Sequence, residues 1–156
     1  MYNSEKVKKS LEGKSLYYIA LKNWANFFDQ IGMEWIYLPE FMGGDQSQAE
    51  FFLPEQGIYF KISTSKSEET MFNRYFFQKN CIPVVWGSAY GSFSIVEDGE
   101  EFKEEETWLS KCSSCGHYFF LNSYGSYVCR ICGDYDGDHH LAESHTGEKS
   151  IFWLHK

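Results

Sequence analysis

Between residues 16 and 31 the apolar positions Tyr17, Ala20, Trp24, Phe27, Phe28 and Ile31 recur at three- and four-residue spacing, and Gly32 follows them. That period places them on one face of a helix, and the glycine supplies its stop. Downstream the period shortens to two. Residues 33–38 predict a strand closed by Pro39, residues 49–53 a second, and the turn 54–57 leads into a third at 58–62. Helical spacing returns over residues 67–80, with Ser67 as N-cap, Glu68 and Glu69 in the first turn, and Met71, Phe72, Tyr75 and Phe76 as the apolar face. Residues 82–86 form a fully apolar fourth strand, broken at 87–91. Helix, three strands, helix, strand predicts an α/β fold: a small mixed sheet with flanking helices.

The chain of 156 residues has room for one ordinary domain and a small appendage. Aromatic residues make up 19% of it, with doublets at Phe27-Phe28, Phe51-Phe52, Phe76-Phe77 and Phe119-Phe120, and rings of this size read as core filling. Cys81, inside the fourth-strand run, reads as a small buried hydrophobe. The net charge of −8 is unevenly spread. Residues 1–96 carry nine Lys/Arg against ten Asp/Glu, whereas 97–111 carry seven acids and two lysines. Such a run reads as a solvated linker. The expected organisation is therefore an α/β domain at 1–96, an acidic linker at 97–110, and a C-terminal unit at 111–156. No basic footprint for tight nucleic-acid binding is present. Met1 to Ser15 is polar and lysine-rich, and the apolar stretch after it is too short for a membrane span or a signal segment. A reducing cytoplasm is the expected location.

Four cysteines carry the clearest chemistry. Cys112-x2-Cys115 and Cys129-x2-Cys132 are each followed by glycine, Gly116 and Gly133. Paired thiolates at this spacing are the pattern of a tetrahedral zinc site, and residues 117–128 between the pairs read as strand, turn, strand. The expectation is a zinc ribbon with structural Zn2+, since four thiolates leave no coordination position open for chemistry. Two disulfides are the competing reading. His117 beside the first knuckle is a spare ligand candidate. Other signals are weaker. Glu12-Gly13-Lys14-Ser15 ends like a phosphate loop, but Lys8 occupies the place of its first glycine. The acids from Asp134 to Asp138 start like a calcium loop that then offers His139 and His145 where glycine and glutamate belong. His145 to Lys149 looks like a linker between zinc fingers but lacks the finger. The tail at 151–154 reads as a strand or cap docking on the core.

Residues 24–40, 49–63 and 82–87, taken with the ribbon, resemble phage-type members of the PD-(D/E)XK nuclease superfamily, which also often end in a zinc ribbon. The resemblance implies a restriction-endonuclease-like core and a phage or mobile-element origin. The family's chemistry needs an acid on the first helix, Pro-Asp opening the second strand and Glu-x-Lys on the third. The carboxylates hold a divalent metal that activates water. In this chain those places hold Leu21, Ala49-Glu50 and Lys61-Ile62-Ser63. Only Glu50 keeps a ligating group, and an ammonium at Lys61 opposes a cation. The resemblance thus implies a dismantled active site, no catalytic residues, and Glu50 and Lys61 neutralising one another across the strands.

Three functions follow as expectations. The first is a non-catalytic binding protein on a degenerate nuclease-like scaffold, acting on a host defence or nucleic-acid-processing complex through a protein partner. The second is a metal-dependent nuclease with a rearranged site, Glu50 with Asp45 or Glu55. The third is a nucleic-acid-binding ribbon in which Lys111, Arg130, Tyr118, Phe119, Tyr124 and Tyr127 contact bases.

Overall fold

The helix begins earlier than its apolar stripe. In a computed structural model, which describes residues 4–38, 49–63, 82–123, 128–134 and 141–152, α1 spans Ser4–Gln30. Ala20, Trp24, Phe27 and Phe28 are buried along one face, as their spacing requires. Gly32 ends the helix at φ +70°, with Met33 N–H reaching back to Phe28 O at 2.8 Å. This left-handed closure favours glycine. The Gly13-Lys14-Ser15 segment lies inside the helix and is no phosphate loop.

Six strands form the larger sheet in the order β1 (Ile36–Tyr37), β2 (Phe51–Leu53), β3 (Ile58–Ile62), β4 (Val84–Gly87), β5 (Phe93–Glu97) and β6 (Glu100–Phe102). All neighbours are antiparallel except β3 and β4, which run parallel with Lys61 opposite Trp86. A parallel pair needs a crossover. The helix expected over 67–80 would fill it, but it lies outside the described residues, as do Asp45, Cys81, Tyr124 and Tyr127. The smaller sheet has β7 (Thr107–Cys112) at its centre, between β8 (Tyr118–Asn122) and β9 (Leu141–Thr146). The fold is mixed α/β, with one helix, a six-stranded sheet and a three-stranded sheet among the described residues.

The acidic stretch expected as a linker at 97–110 holds the end of β5, all of β6, a short 3-10 turn at Glu104–Glu106 and most of β7. Most of its acids face solvent: Asp98, Glu100, Glu101, Glu104 and Glu105 are exposed while Phe102 is buried. The charge run masked a period-two pattern whose inward members are Phe93, Ile95, Phe102, Thr107 and Leu109.

One hydrophobic cluster joins the helix to both sheets, uniting Trp24, Phe28, Phe51, Phe60 and Phe93 with Leu109, Phe120 and Ile151. Ring centroids of Trp24 and Phe60 are 4.6 Å apart, and those of Phe93 and Phe120 are 5.1 Å apart. Phe152 reaches Trp24 at 5.0 Å and Ile151 is buried, so the first two residues of the tail expected at 151–154 cap the core, and residues 153–154 lie outside the described ones. Gly87 lies where this packing is tightest. A Cβ there would fall inside van der Waals contact of both Phe60 and Trp24.

Candidate metal centre and a buried acid–base pair

The first knuckle is the tip of the β7–β8 hairpin. Cys112 closes β7, its N–H bonds His117 O at 3.0 Å, and Gly116 (φ +76°) returns its N–H to Cys112 O at 2.8 Å. The second knuckle repeats the geometry, with Gly133 (φ +73°) donating to Cys129 O at 2.9 Å. In both, a glycine in the left-handed region lets two sulfurs converge within a turn. β8 pairs with β7, and residues 124–127, which lead towards Cys129, lie outside the described residues. The first knuckle therefore belongs to a three-stranded sheet in which β7 pairs with both β8 and β9.

The sulfurs of Cys112, Cys115, Cys129 and Cys132 all lie within 4.8 Å of one another. Cys112 and Cys132 are 3.8 Å apart and Cys115 and Cys129 are 3.7 Å apart. A disulfide requires about 2.05 Å, and all four thiols are free. A tetrahedral ion with metal–sulfur bonds of about 2.3 Å has edges of about 3.8 Å, so the arrangement can hold a metal ion. Backbone N–H groups of Cys115 and Ile131 point at Cys112 Sγ (3.5 Å) and Cys129 Sγ (3.3 Å). Burial pushes the Cys129 thiol up to about 12 and raises Cys115 as well. Burial also acts on Cys112, but backbone N–H bonds from Cys115 and Ser114 outweigh it and leave that thiol below its ordinary value. A cation entering the cluster must therefore displace protons, which ties its affinity to pH. His117 is exposed, its Nε2 lies 3.9 Å from Glu55 Oε2, and it is not among the converging ligands.

Arg130, between the second pair of cysteines, turns back to the larger sheet. Its guanidinium bonds Glu97 at 2.6 and 3.2 Å and Phe120 O at 2.5 Å, and Asn122 Nδ2 adds 2.7 Å to the same carboxylate. Of the residues expected to contact bases, Phe119 is fully buried, Tyr118 nearly so, and Lys111 Nζ stands 5.7 Å over the Tyr118 ring.

At the far side of the larger sheet, Glu50 stands opposite Lys61 in the register that pairs Phe51 with Phe60. Lys61 Nζ lies 3.1 Å from Glu50 Oε1, Tyr17 donates its hydroxyl to the same oxygen at 3.2 Å, and Ile62 N–H donates to Oε2 at 2.8 Å. Glu50 is 7% exposed. The expected neutralisation is present, and the structure adds two donors that sequence reasoning missed. Tyr17 was recognisable only as a member of the helix face; its reach across to β2 depends on how α1 docks. Glu55 bonds the Glu34 N–H at 3.2 Å from the opposite end of β2. Leu21 packs partly buried against the core. Among the described residues, the four cysteines are the one place where three or more metal-capable side chains converge. No helix among them is long and apolar enough to cross a membrane.

Compared with protein-family models, with curated proteins and with solved structures, the chain matches none.

Proposed function

We propose that this protein is a non-catalytic, zinc-stabilised binding protein whose larger sheet is a nuclease-like scaffold with its catalytic metal site closed. The zinc assignment rests on the donor set: four thiolates are soft ligands that select zinc over oxygen-seeking cations, and sulfur–sulfur edges of 3.7 and 3.8 Å suit its tetrahedron. Such a site supplies folding energy and leaves no ligand position for substrate.

The observation that carries the non-catalytic reading is the saturation of Glu50. Both carboxylate oxygens already accept bonds, one from an ammonium, and burial makes removal of those partners costly. A divalent cation would have to displace Lys61 and recruit further oxygens. In this reading the scaffold is kept for contacts. The near-neutral body and acidic surface favour a protein partner, and the nuclease-like resemblance places that partner in a host defence or nucleic-acid-processing complex met by a phage or mobile element. The test uses purified full-length protein. Metal analysis should return one zinc per chain, and incubation with plasmid and single-stranded DNA plus magnesium or manganese should leave both intact. Cleavage that Glu50→Ala abolishes overturns the reading in favour of a rearranged nuclease.

A further inference from the structure

The main chain of the second knuckle faces its own first sulfur. Ile131 and Cys132 N–H groups point at Cys129 Sγ at 3.3 and 3.5 Å, and Gly133 N–H closes the turn on Cys129 O. Arg130 lies in the middle of this turn, and its side chain leaves it for the larger sheet. The guanidinium fork spans both oxygens of Glu97, while Nε donates to Phe120 O. Exposed ion pairs contribute little. This one is bidentate, its two side chains are only 19% and 24% exposed, and buried Asn122 donates to the same carboxylate.

Each anchor is itself held. Glu97 ends β5 just before the tight turn at Asp98 (φ +52°) and Gly99 (φ +78°), and its mate across that turn is Glu100. Phe120 belongs to the edge strand β8, with its ring centroid 5.1 Å from that of Phe93 and its N–H on Gln56 Oε1 at 2.8 Å. Gln56 is buried in the turn between β2 and β3. A continuous path therefore runs from the larger sheet to the second knuckle. Gln56 and Phe93 hold Phe120, Phe120 and Glu97 hold Arg130, and Arg130 holds the turn that carries Cys129 and Cys132. The first knuckle is set by β7 and β8 instead. A direct bond between the knuckles, Ser114 Oγ to Asp134 Oδ2 at 2.5 Å, is exposed, so water competes for it.

We propose that Arg130 is a positioning residue for the metal centre, through which the Glu97 end of the larger sheet sets the metal affinity of the four cysteines. The proposal rests on the zinc reading of that cluster given above. Neither Glu97 nor the guanidinium is among the converging ligands. They act by orienting the ligand-bearing turn, as the outer partners of metal ligands do, so that its sulfurs meet those of the first knuckle at 3.7 and 3.8 Å. A lysine at this position supplies the charge without the fork or the Nε donor, so the role calls for arginine. Linkage makes the effect reciprocal: whatever the clasp adds to metal binding, bound metal adds to the clasp.

The test is the zinc Kd of the full chain, measured by competition with a chromophoric chelator at fixed pH, with circular dichroism to confirm that each variant is folded. Arg130→Ala should raise the Kd about tenfold or more. Arg130→Lys should recover only part of that loss. Glu97→Ala should act in the same direction and add little when combined with Arg130→Ala, since both remove one clasp. Phe51→Leu, which opens a cavity elsewhere in the larger sheet, should leave the Kd within about twofold, separating positioning from a general loss of stability. An unchanged Kd for Arg130→Ala overturns the proposal and leaves the zinc reading standing, and so does an equal rise in Phe51→Leu. An unmutated chain that takes up no zinc overturns both. If Arg130→Ala folds poorly, hydrogen exchange at Arg130 Nε–H in the isotope-labelled unmutated chain decides. It should slow about tenfold on zinc loading, and an unchanged rate overturns the proposal.

Discussion

Leu109 and Phe120 face one side of the smaller sheet and enter the aromatic core; Cys112, Phe119 and Leu121 face the other and close over the cysteines. The same two strands therefore serve two kinds of cohesion. On the first face, interlocking rings from α1 and the larger sheet exclude water, and each buried aromatic contributes through area and packing. On the second, the cluster contains, among the described residues, Cys112, Phe119, Leu121 and Cys129 as buried members, with Trp108, Cys115 and Ile131 partly covered. Among the described residues, the aromatic cluster ends at the plane of β7 and β8, and beyond it stand four sulfurs that could hold a metal ion.

Metal removal is the largest lever on that contrast. Chelation should forfeit on the order of 10 kcal/mol of binding-linked stability at the cysteine face. With fluorotryptophan labels, the Trp108 signal should shift and broaden on chelation while the Trp24 signal holds. If both collapse together, the two faces are one cooperative unit. Trp24→Ala attacks from the other side. It removes the ring that contacts Phe60, Phe28 and Phe152 and donates to Ser88 O at 2.7 Å. A loss of about 3–5 kcal/mol is expected in denaturant unfolding, with weaker zinc retention as a secondary result.

Glu50 gives a finer test. Glu50→Ala leaves Lys61, Tyr17 and the Ile62 N–H without their acceptor and should cost about 2–3 kcal/mol. The double change Glu50→Leu with Lys61→Met should recover part of that, because the ammonium is gone with its carboxylate, while the Tyr17 hydroxyl and the Ile62 N–H still lose this acceptor. Failure to recover would mean that the pair is held by more than its own electrostatics. Tyr118 offers the smallest effect. Burial, with the Glu143 carboxylate 2.6 Å away, pushes its phenol up to about 12. An unfolded tyrosine ionises near 10, so the fold favours the protonated phenol. That contribution is complete below pH 10 and disappears as pH climbs towards 12. Tyr118→Phe should cost about 1 kcal/mol at neutral pH and remove this alkaline component from the stability profile.

Legibility from sequence followed locality. Ile58–Ile62 was readable to the residue because Ile58, Phe60 and Ile62 alternate cleanly between two turns, and the cysteines were readable because metal knuckles are local motifs. The Glu50–Lys61 contact was legible once β2 and β3 were paired, since a short turn fixes their register. Strands β5 to β7 were hidden, because acids on their outward positions dominate the composition while the inward residues are spread thinly. The first turns of α1 were hidden for the opposite reason: Met1–Ser15 has helix-compatible residues but no sustained apolar period. Nothing local foretold the Arg130–Glu97 clasp, because its partners meet only after both sheets have formed.

Ile151 N–H bonds Gly91 O at 3.2 Å and Phe152 stacks edge-on against Trp24, so a residue near the last of the described chain covers one near the first. During ribosomal synthesis Trp24 and Phe27 must wait for that cover until Phe152 has been made and has left the exit tunnel. The nascent chain carries an incompletely covered indole until then, and a bulky fusion partner placed close after Phe152 would hinder that cover.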